Sequence, residues 1–182
     1  MKINLLLSLG LALVSALHAL PTASDKKAID NLQKLAGKWN SIFLASTVQK
    51  RVEDGGDMKF SINNIDVRGH DVVFDLDLQE DGKCIPYIIV ANKTEKDNVL
   101  KFDYEGENTV YVEKANPDDH VIFATHNIQN GTETVVLELY GRSQDVKENA
   151  KKSFKKLCKK YGINKDYVID MTQNSKCNKE KQ

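Results

Sequence analysis

The chain has 182 residues, and its 26 basic and 26 acidic side chains give a formal net charge of zero. This length predicts one domain that can bury its own core without a structural metal. The balanced charge argues against a nucleic-acid partner, because domains that bind nucleic acids usually carry a net positive charge.

The first 19 residues have the pattern of a targeting segment. Met1-Lys2 gives a basic start, an apolar run extends from Ile3 to Leu17, and a small residue, Ala19, follows. This pattern is typical of a secretory signal peptide, and the run is shorter than the about 20 residues that a membrane span needs. We expect residues 1–19 to be the signal peptide and residues 20–182 to form the single domain of a secreted, extracellular protein with no membrane partner.

Apolar and polar residues alternate along most of the chain from Trp39 to Tyr140. This period of two is typical of strands with one buried and one exposed face. The phase of the alternation changes after Ile62, which predicts a bulge or a strong bend. Gly, Asn and Asp residues predict hairpin turns between the strands. These turns are expected at residues 68–71, 80–83, 105–108 and 130–131.

The fold class follows from about eight strands in sequential order with no crossover helix between them. Such a sheet leaves two exposed edges unless it closes on itself. Eight strands enclose room for packed side chains or one small ligand. We therefore expect an all-β protein: an eight-stranded antiparallel up-and-down β-barrel with one C-terminal α-helix packed outside.

The expected helix follows the last long strand. Asp145 and Glu148 have the spacing of a capping box, and Gly162 marks the end of the helix. Its apolar face combines Val146, Ala150, Phe154, Leu157, Cys158 and Tyr161. Residues 167–169 are then expected to form a short final strand.

Three cysteines, Cys84, Cys158 and Cys177, allow three pairings with one thiol left over. Cys158 lies on the apolar face of the expected helix, where a free cysteine acts as a small buried hydrophobic residue. This placement favours a Cys84–Cys177 disulfide.

Several short motifs resemble those of the lipocalin family, in the mammalian branch of major urinary proteins, odorant-binding lipocalins and related allergens. The matching segments are Gly37-Lys38-Trp39, residues 39–46, Leu139-Tyr140-Gly141-Arg142, residues 92–96 and Ile169-Asp170. Residues 115–117 depart from the family, which tends to have Thr-Asp-Tyr at this position.

The resemblance implies structural roles for particular residues. Gly37 and Trp39 would open the first strand, and Arg142 would pack on Trp39 to close the base of the barrel. Cys84 and Cys177 match the family's disulfide, and Cys158 matches a thiol that is unpaired in some members.

The alternation and the family's pocket together predict which side chains point into the barrel. The candidate ligand-binding residues are Met58, Phe60, Ile62, Phe74, Leu76, Ile89, Phe102, Tyr104, Val110, Phe123, Val136, Glu138 and Tyr140.

Glu138 stands out among them because a carboxylate in an apolar chamber is costly unless it is paired or protonated. We expect it to act with Tyr104 or Tyr140 in holding a polar group of the ligand or an ordered water. The alternative interpretation is a structural hydrogen bond near one end of the barrel.

The resemblance implies a secreted carrier of a small hydrophobic ligand, such as an odorant, a pheromone, a fatty acid or a steroid-like molecule. The alternative is a protein-interaction lipocalin, such as a protease inhibitor or a receptor ligand. A homodimer and a cell-surface receptor are further partners that the sequence leaves open. Allergenicity is common among the relatives.

No catalytic residue, metal site or cofactor is expected. One lipocalin branch isomerises prostaglandins through a cavity cysteine, but here each cysteine already has a structural role. His70, His120 and His126 have no cysteine or serine partner that the sequence can place. Asn92 and Asn130 begin N-glycosylation motifs in expected loops.

Overall fold

The computed structural model describes residues 31–80, 83–174 and 177. The expected signal peptide, residues 1–19, lies outside the described residues, as do two residues of the expected turn at 80–83. Residues 31–33 are helical. Later in the chain, the helices are α1 (Glu148–Lys160) and α2 (Met171–Asn174), and 3-10 turns occupy Gln49–Arg51 and Lys165–Tyr167. The strands are β1 (Gly37–Lys38), β2 (Asn40–Ser46), β3 (Phe60–Arg68), β4 (Asp71–Glu80), β5 (Lys83–Lys93), β6 (Val99–Asp103), β7 (Glu107–Asn116), β8 (His120–Gln129), β9 (Thr132–Gly141) and β10 (Ile169–Asp170).

All the strands form one antiparallel sheet in the order β1-β3-β4-β5-β6-β7-β8-β9-β2-β10. Strand β1 pairs with β3, and β2 pairs with β9. Trp39 lies between β1 and β2, and its backbone N–H donates to the Asn63 carbonyl at 2.9 Å. One bent segment therefore joins both ends of the sheet, which confirms the closed up-and-down barrel. The described residues form ten strands rather than eight, because β1 and β10 are additional two-residue strands.

The register of the sheet confirms the bulge expected after Ile62. Pairing of β3 with β4 shifts between Ile62 and Asn64, so the residues on either side keep their apolar side chains on the inner face. The turn between β8 and β9 has positive φ at Asn130 (50°) and Gly131 (78°), which is the geometry of a tight hairpin turn.

Helix α1 packs against the outside of the barrel, as expected. Ala150, Phe154, Leu157 and Cys158 are its buried residues. Their partners on the sheet are Ile42, Ala45, Ile122, Ala124, Leu137 and Leu139. A second and larger apolar cluster fills the interior of the barrel. The sheet therefore has an apolar interior and a helix-covered patch on its outer surface.

The predicted capping box is wrong. Helix α1 begins at Glu148, its N-cap residue is Lys147, and no side chain caps it. Val146 is buried but precedes the helix. A Cβ at Gly141 would lie 2.2 Å from Val146 Cγ1, so Val146 packs closely against the barrel at this glycine. The chain turns into the helix only after Lys147.

The final strand was also predicted too early. Tyr167 belongs to a 3-10 turn that begins after Asn164, whose side chain accepts a hydrogen bond from the Asp166 backbone N–H at 3.0 Å. This local bond stabilises the turn, so the strand begins only at Ile169.

Cys84 and Cys177 form the predicted disulfide, with 5.4 Å between their Cα atoms. Cys158 is a free, buried cysteine on helix α1. No helix in the described part of the chain is long and apolar enough to cross a membrane.

One end of the barrel is closed by Arg142. Its guanidinium carbon lies 3.8 Å from the centre of the Trp39 ring, and its N–H groups donate to backbone carbonyls. The acceptors are Lys34, Ala36, Lys38 and Pro117. A Cβ at Gly37, where φ is 107°, would lie 3.2 Å from Arg142 Nη1. Glycine at this position therefore relieves backbone strain and leaves room for the guanidinium.

Candidate functional site

The barrel interior contains a small cavity. The side chains of alternate strand residues point into this cavity, because successive side chains of a strand point to opposite faces. The lining residues are Phe60, Ile62, Phe74, Leu76, Ile89, Phe102, Val110, Phe123, Thr125 and Glu138. The wall is thus apolar except for one hydroxyl and one carboxyl group.

Most of the predicted site residues line this cavity. The ones that do not are Met58, Tyr104, Val136 and Tyr140. Met58 and Val136 are buried elsewhere in the core. Thr125 lines the cavity but was not predicted, although it follows Phe123 by two residues on β8. The period of two would have identified Thr125 if polar side chains had been included.

The cavity has a volume of about 20 Å³, enough for one water molecule. Aromatic rings occupy much of the interior. The Phe74 and Phe123 rings meet edge to face at 6.0 Å between centroids, and the Phe123 and Tyr140 rings lie 5.9 Å apart. A ligand of ten or more heavy atoms can enter only if some of these side chains change rotamer.

Glu138 forms the polar corner of the cavity. Its carboxyl group is buried, with the residue only 3% exposed, and it accepts two hydrogen bonds. The Tyr140 hydroxyl donates to Oε1 at 2.7 Å, and the Thr125 hydroxyl donates to Oε2 at 3.0 Å. These donors come from β9 and from the neighbouring strand β8. Both hydrogen-bond donors to the carboxyl group are therefore side chains of the barrel strands themselves.

Burial raises the pKa of the Glu138 carboxyl above its ordinary value, although the hydrogen bonds from Tyr140 and Thr125 oppose this shift. Burial also raises the pKa of the Tyr140 hydroxyl well above its usual range, and the adjacent Glu138 adds to the effect. The chamber thus favours the neutral form of both groups. A neutral carboxyl can donate as well as accept, so it can bind either a hydroxyl or a carbonyl group of a ligand.

Tyr104 does not act with Glu138 in this structure. Its hydroxyl donates to the Asp57 carbonyl at 3.0 Å, and its ring packs edge to face on Phe60 at 5.8 Å. Of the two tyrosines predicted to partner Glu138, only Tyr140 makes that hydrogen bond.

His70, His120 and His126 lie outside the cavity wall. His120 Nδ1 is 2.7 Å from an Asp119 carboxylate oxygen, and His126 Nδ1 is 2.8 Å from Glu133 Oε1. His70 is exposed in the turn between β3 and β4. Each of these three histidines therefore has a local structural or surface position.

Comparisons with known proteins agree with this architecture. A family model described as the lipocalin / cytosolic fatty-acid binding protein family matches residues 36–175. Major urinary protein 4 of Mus musculus is 36% identical over 179 residues, which cover 98% of this chain and 99% of the mouse protein.

Solved structures with bound ligands are also similar to this chain. The possum milk whey lipocalin trichosurin with bound 4-ethylphenol is 28% identical, with a TM-score of 0.74, and the match covers 78% of this chain and 99% of trichosurin. Bovine odorant binding protein in complex with undecanal is 25% identical, with a TM-score of 0.56. That match covers 79% of this chain and 93% of the bovine chain.

Proposed function

Because the chain belongs to the lipocalin family, we propose that it is a secreted carrier that holds one small hydrophobic ligand inside its barrel. The observation that carries this proposal is the apolar inner wall with a single carboxyl group, Glu138, at its polar corner. Apolar burial, at about 25 cal/mol per Å², supplies most of the binding free energy, and the few polar groups orient the ligand.

The chemistry of the wall favours a compact apolar molecule with one hydroxyl or carbonyl group. The phenol bound by trichosurin and the aldehyde bound by the bovine protein both have this character. The small cavity volume favours odorant-sized or pheromone-sized molecules over fatty acids and steroids, since fewer side chains have to move for a smaller ligand. We expect micromolar affinity, about −8 kcal/mol.

Displacement of a fluorescent apolar probe from the purified protein tests this function. We expect both 4-ethylphenol and ethylbenzene to displace the probe, with the phenol binding more tightly. Glu138→Gln should weaken binding of the phenol severalfold, because an amide N–H is a weaker hydrogen-bond donor than the O–H of a neutral carboxyl group. The affinity for ethylbenzene should stay the same.

Glu133→Gln is the matched control, because Glu133 lies on the same strand but is exposed outside the barrel. This variant should bind both compounds as the wild type does. Equal losses for both compounds in Glu138→Gln would contradict the polar role of Glu138. Failure of all apolar compounds to bind would contradict the carrier function.

The alternative function is protein interaction, with the barrel serving as a scaffold for a protease inhibitor or a receptor ligand. The small volume of the cavity favours this alternative, because side chains already fill most of the interior. The same titration separates the two functions, since a scaffold needs no internal ligand.

A further inference from the structure

Strand β5 differs from its neighbours in having a long edge without a sheet partner in the described part of the chain. It pairs with β4 from Lys83 to Asn92. With β6 it pairs only at Asn92 and Lys93. Residues 83–91 therefore leave one side of the backbone ladder open, and such edges promote pairing with other chains.

The open edge carries apolar side chains on its outer face. Ile89 and Ala91 point into the barrel and are buried, so Ile88 and Val90 point outward. Ile88 is 64% exposed and Val90 is 52% exposed, more than any other large apolar residue in the described part of the chain. These two outward hydrophobic residues are neighbours on one face of an unpaired edge. Proteins normally shield such edges from pairing with other chains.

One part of this edge already has protection. The Lys93 N–H donates to the His70 carbonyl, so odd-numbered residues of β5 direct their backbone groups toward β4. Even-numbered residues then direct theirs toward the open edge. Pro86 is one of these, and it has no N–H to offer an incoming strand. Nearer the start of β5, Cys84 forms its disulfide bond with Cys177. Ile88 and Val90 are therefore the even-numbered residues of the open edge that have neither the proline nor the disulfide.

Asn92 occupies the next outward position after Val90. Residues two apart on one face of a strand are separated by about 7 Å. Asn92 lies on strand β5, so the expectation that it lies in a loop is wrong. It is exposed, and Asn92-Lys93-Thr94 is an N-glycosylation motif. Its Nδ2 donates to Asp71 Oδ1 at 3.0 Å.

We propose that Asn92 carries an N-linked glycan that covers Ile88 and Val90 and blocks the open edge of β5. The Asn92 Nδ2 forms a bond to the anomeric carbon of a lipid-diphosphate-linked oligosaccharide. The bond between that carbon and the diphosphate oxygen breaks, the lipid diphosphate leaves, and Nδ2 loses one proton. The remaining N–H can still donate to Asp71. This inference rests on the secretion proposed above but not on ligand binding.

The second motif, at Asn130, lacks this context. Ile128 is exposed two residues before it, but β8 pairs on both sides there, with Glu107 of β7 and Glu133 of β9. A glycan at Asn130 would have no open edge to cover. Asn130→Gln is therefore the matched control for Asn92→Gln.

The test is secretion of the full chain, with its leader, from mammalian cells, followed by peptide mass spectrometry and sedimentation velocity. We expect a glycan on the Asn92 peptide that is lost in Asn92→Gln and Thr94→Ala but kept in Thr94→Ser. At concentrations where the wild type is monomeric, secreted Asn92→Gln should form oligomers, and adding Ile88→Thr and Val90→Thr should restore the monomer. Asn130→Gln should behave as the wild type does.

An unmodified Asn92 in the secreted protein, or protein retained in the cell without a glycan, would overturn the proposal. A modified Asn92 whose loss leaves the protein monomeric would overturn the covering role. Ligand binding by unglycosylated protein tests the carrier function separately, so failure of one proposal is distinguishable from failure of the other.

Discussion

The Tyr140 hydroxyl donates a hydrogen bond of 2.7 Å to Glu138 Oε1 inside the barrel. The two residues are two positions apart on β9, so the pleat of the strand directs both side chains to the inner face. This pair places an ionisable group in a chamber whose wall is otherwise apolar except for the Thr125 hydroxyl. The pH dependence of stability and the preference for a ligand therefore depend on the same carboxyl group.

Glu138→Gln should change how stability depends on pH. Because burial raises the pKa of Glu138, the folded protein holds a proton that the unfolded chain releases near pH 4.5. The contribution of Glu138 to the unfolding free energy therefore falls as pH rises from about 4.5 through the folded pKa. The fall approaches about 1.4 kcal/mol for each pH unit between these two pKa values.

Urea unfolding of the wild type and Glu138→Gln from pH 4 to pH 8 measures this difference. Glutamine keeps a carbonyl acceptor for Tyr140 and does not titrate, so the stability of the wild type relative to the variant should fall with rising pH. Parallel profiles across the whole range would show that Glu138 has an unshifted pKa in the folded protein.

Arg142→Lys should destabilise the protein although it keeps the positive charge. Lysine has no planar guanidinium group that could stack on Trp39 and donate several hydrogen bonds to the surrounding carbonyls at once. We expect a loss of about 2 kcal/mol in the unfolding free energy, measured by urea unfolding at neutral pH.

Arg68→Lys is the control for this substitution, because Arg68 forms only an exposed ion pair with Asp66. Its effect should stay within about 0.5 kcal/mol. Equal effects at the two positions would mean that Arg142 does not stabilise the base of the barrel.

Cys158 should be unreactive in the folded protein. It is fully buried on the face of helix α1 that packs against the barrel, and burial raises the pKa of its thiol to about 11. A thiol reagent should therefore label Cys158 only after unfolding, with no change in the Cys84–Cys177 disulfide. Rapid labelling of the native protein would instead support a reactive thiol of the kind that enzymatic lipocalins use.

The inner wall could be predicted from the sequence because a period of two determines which side of a strand faces inward. Glu138 was recognisable by its distance of two residues from Val136 and Tyr140. Thr125 follows the same rule but is polar, so a search restricted to apolar residues and one carboxylate missed it.

The start of helix α1 could not be predicted, because it depends on tertiary packing rather than on the local capping motif. Val146 packs against Gly141, and Lys147 still has non-helical backbone angles (φ −58°, ψ 144°), so the helix begins only at Glu148. The size of the cavity also depends on packing. It is determined by the rotamers of rings such as Phe74 and Phe123, and residue types alone do not specify these.

The most direct test of the carrier function is to locate a bound ligand by NMR on protein with labelled methyl groups. Ile88 and Ile89 are adjacent on β5, but Ile88 points outward and Ile89 lines the cavity. With 4-ethylphenol added, we expect intermolecular nuclear Overhauser effects to the methyl groups of Ile89 and Val110 and none to those of Ile88. Contacts to Ile88 alone, or the absence of any contact at saturating ligand, would contradict binding inside the barrel.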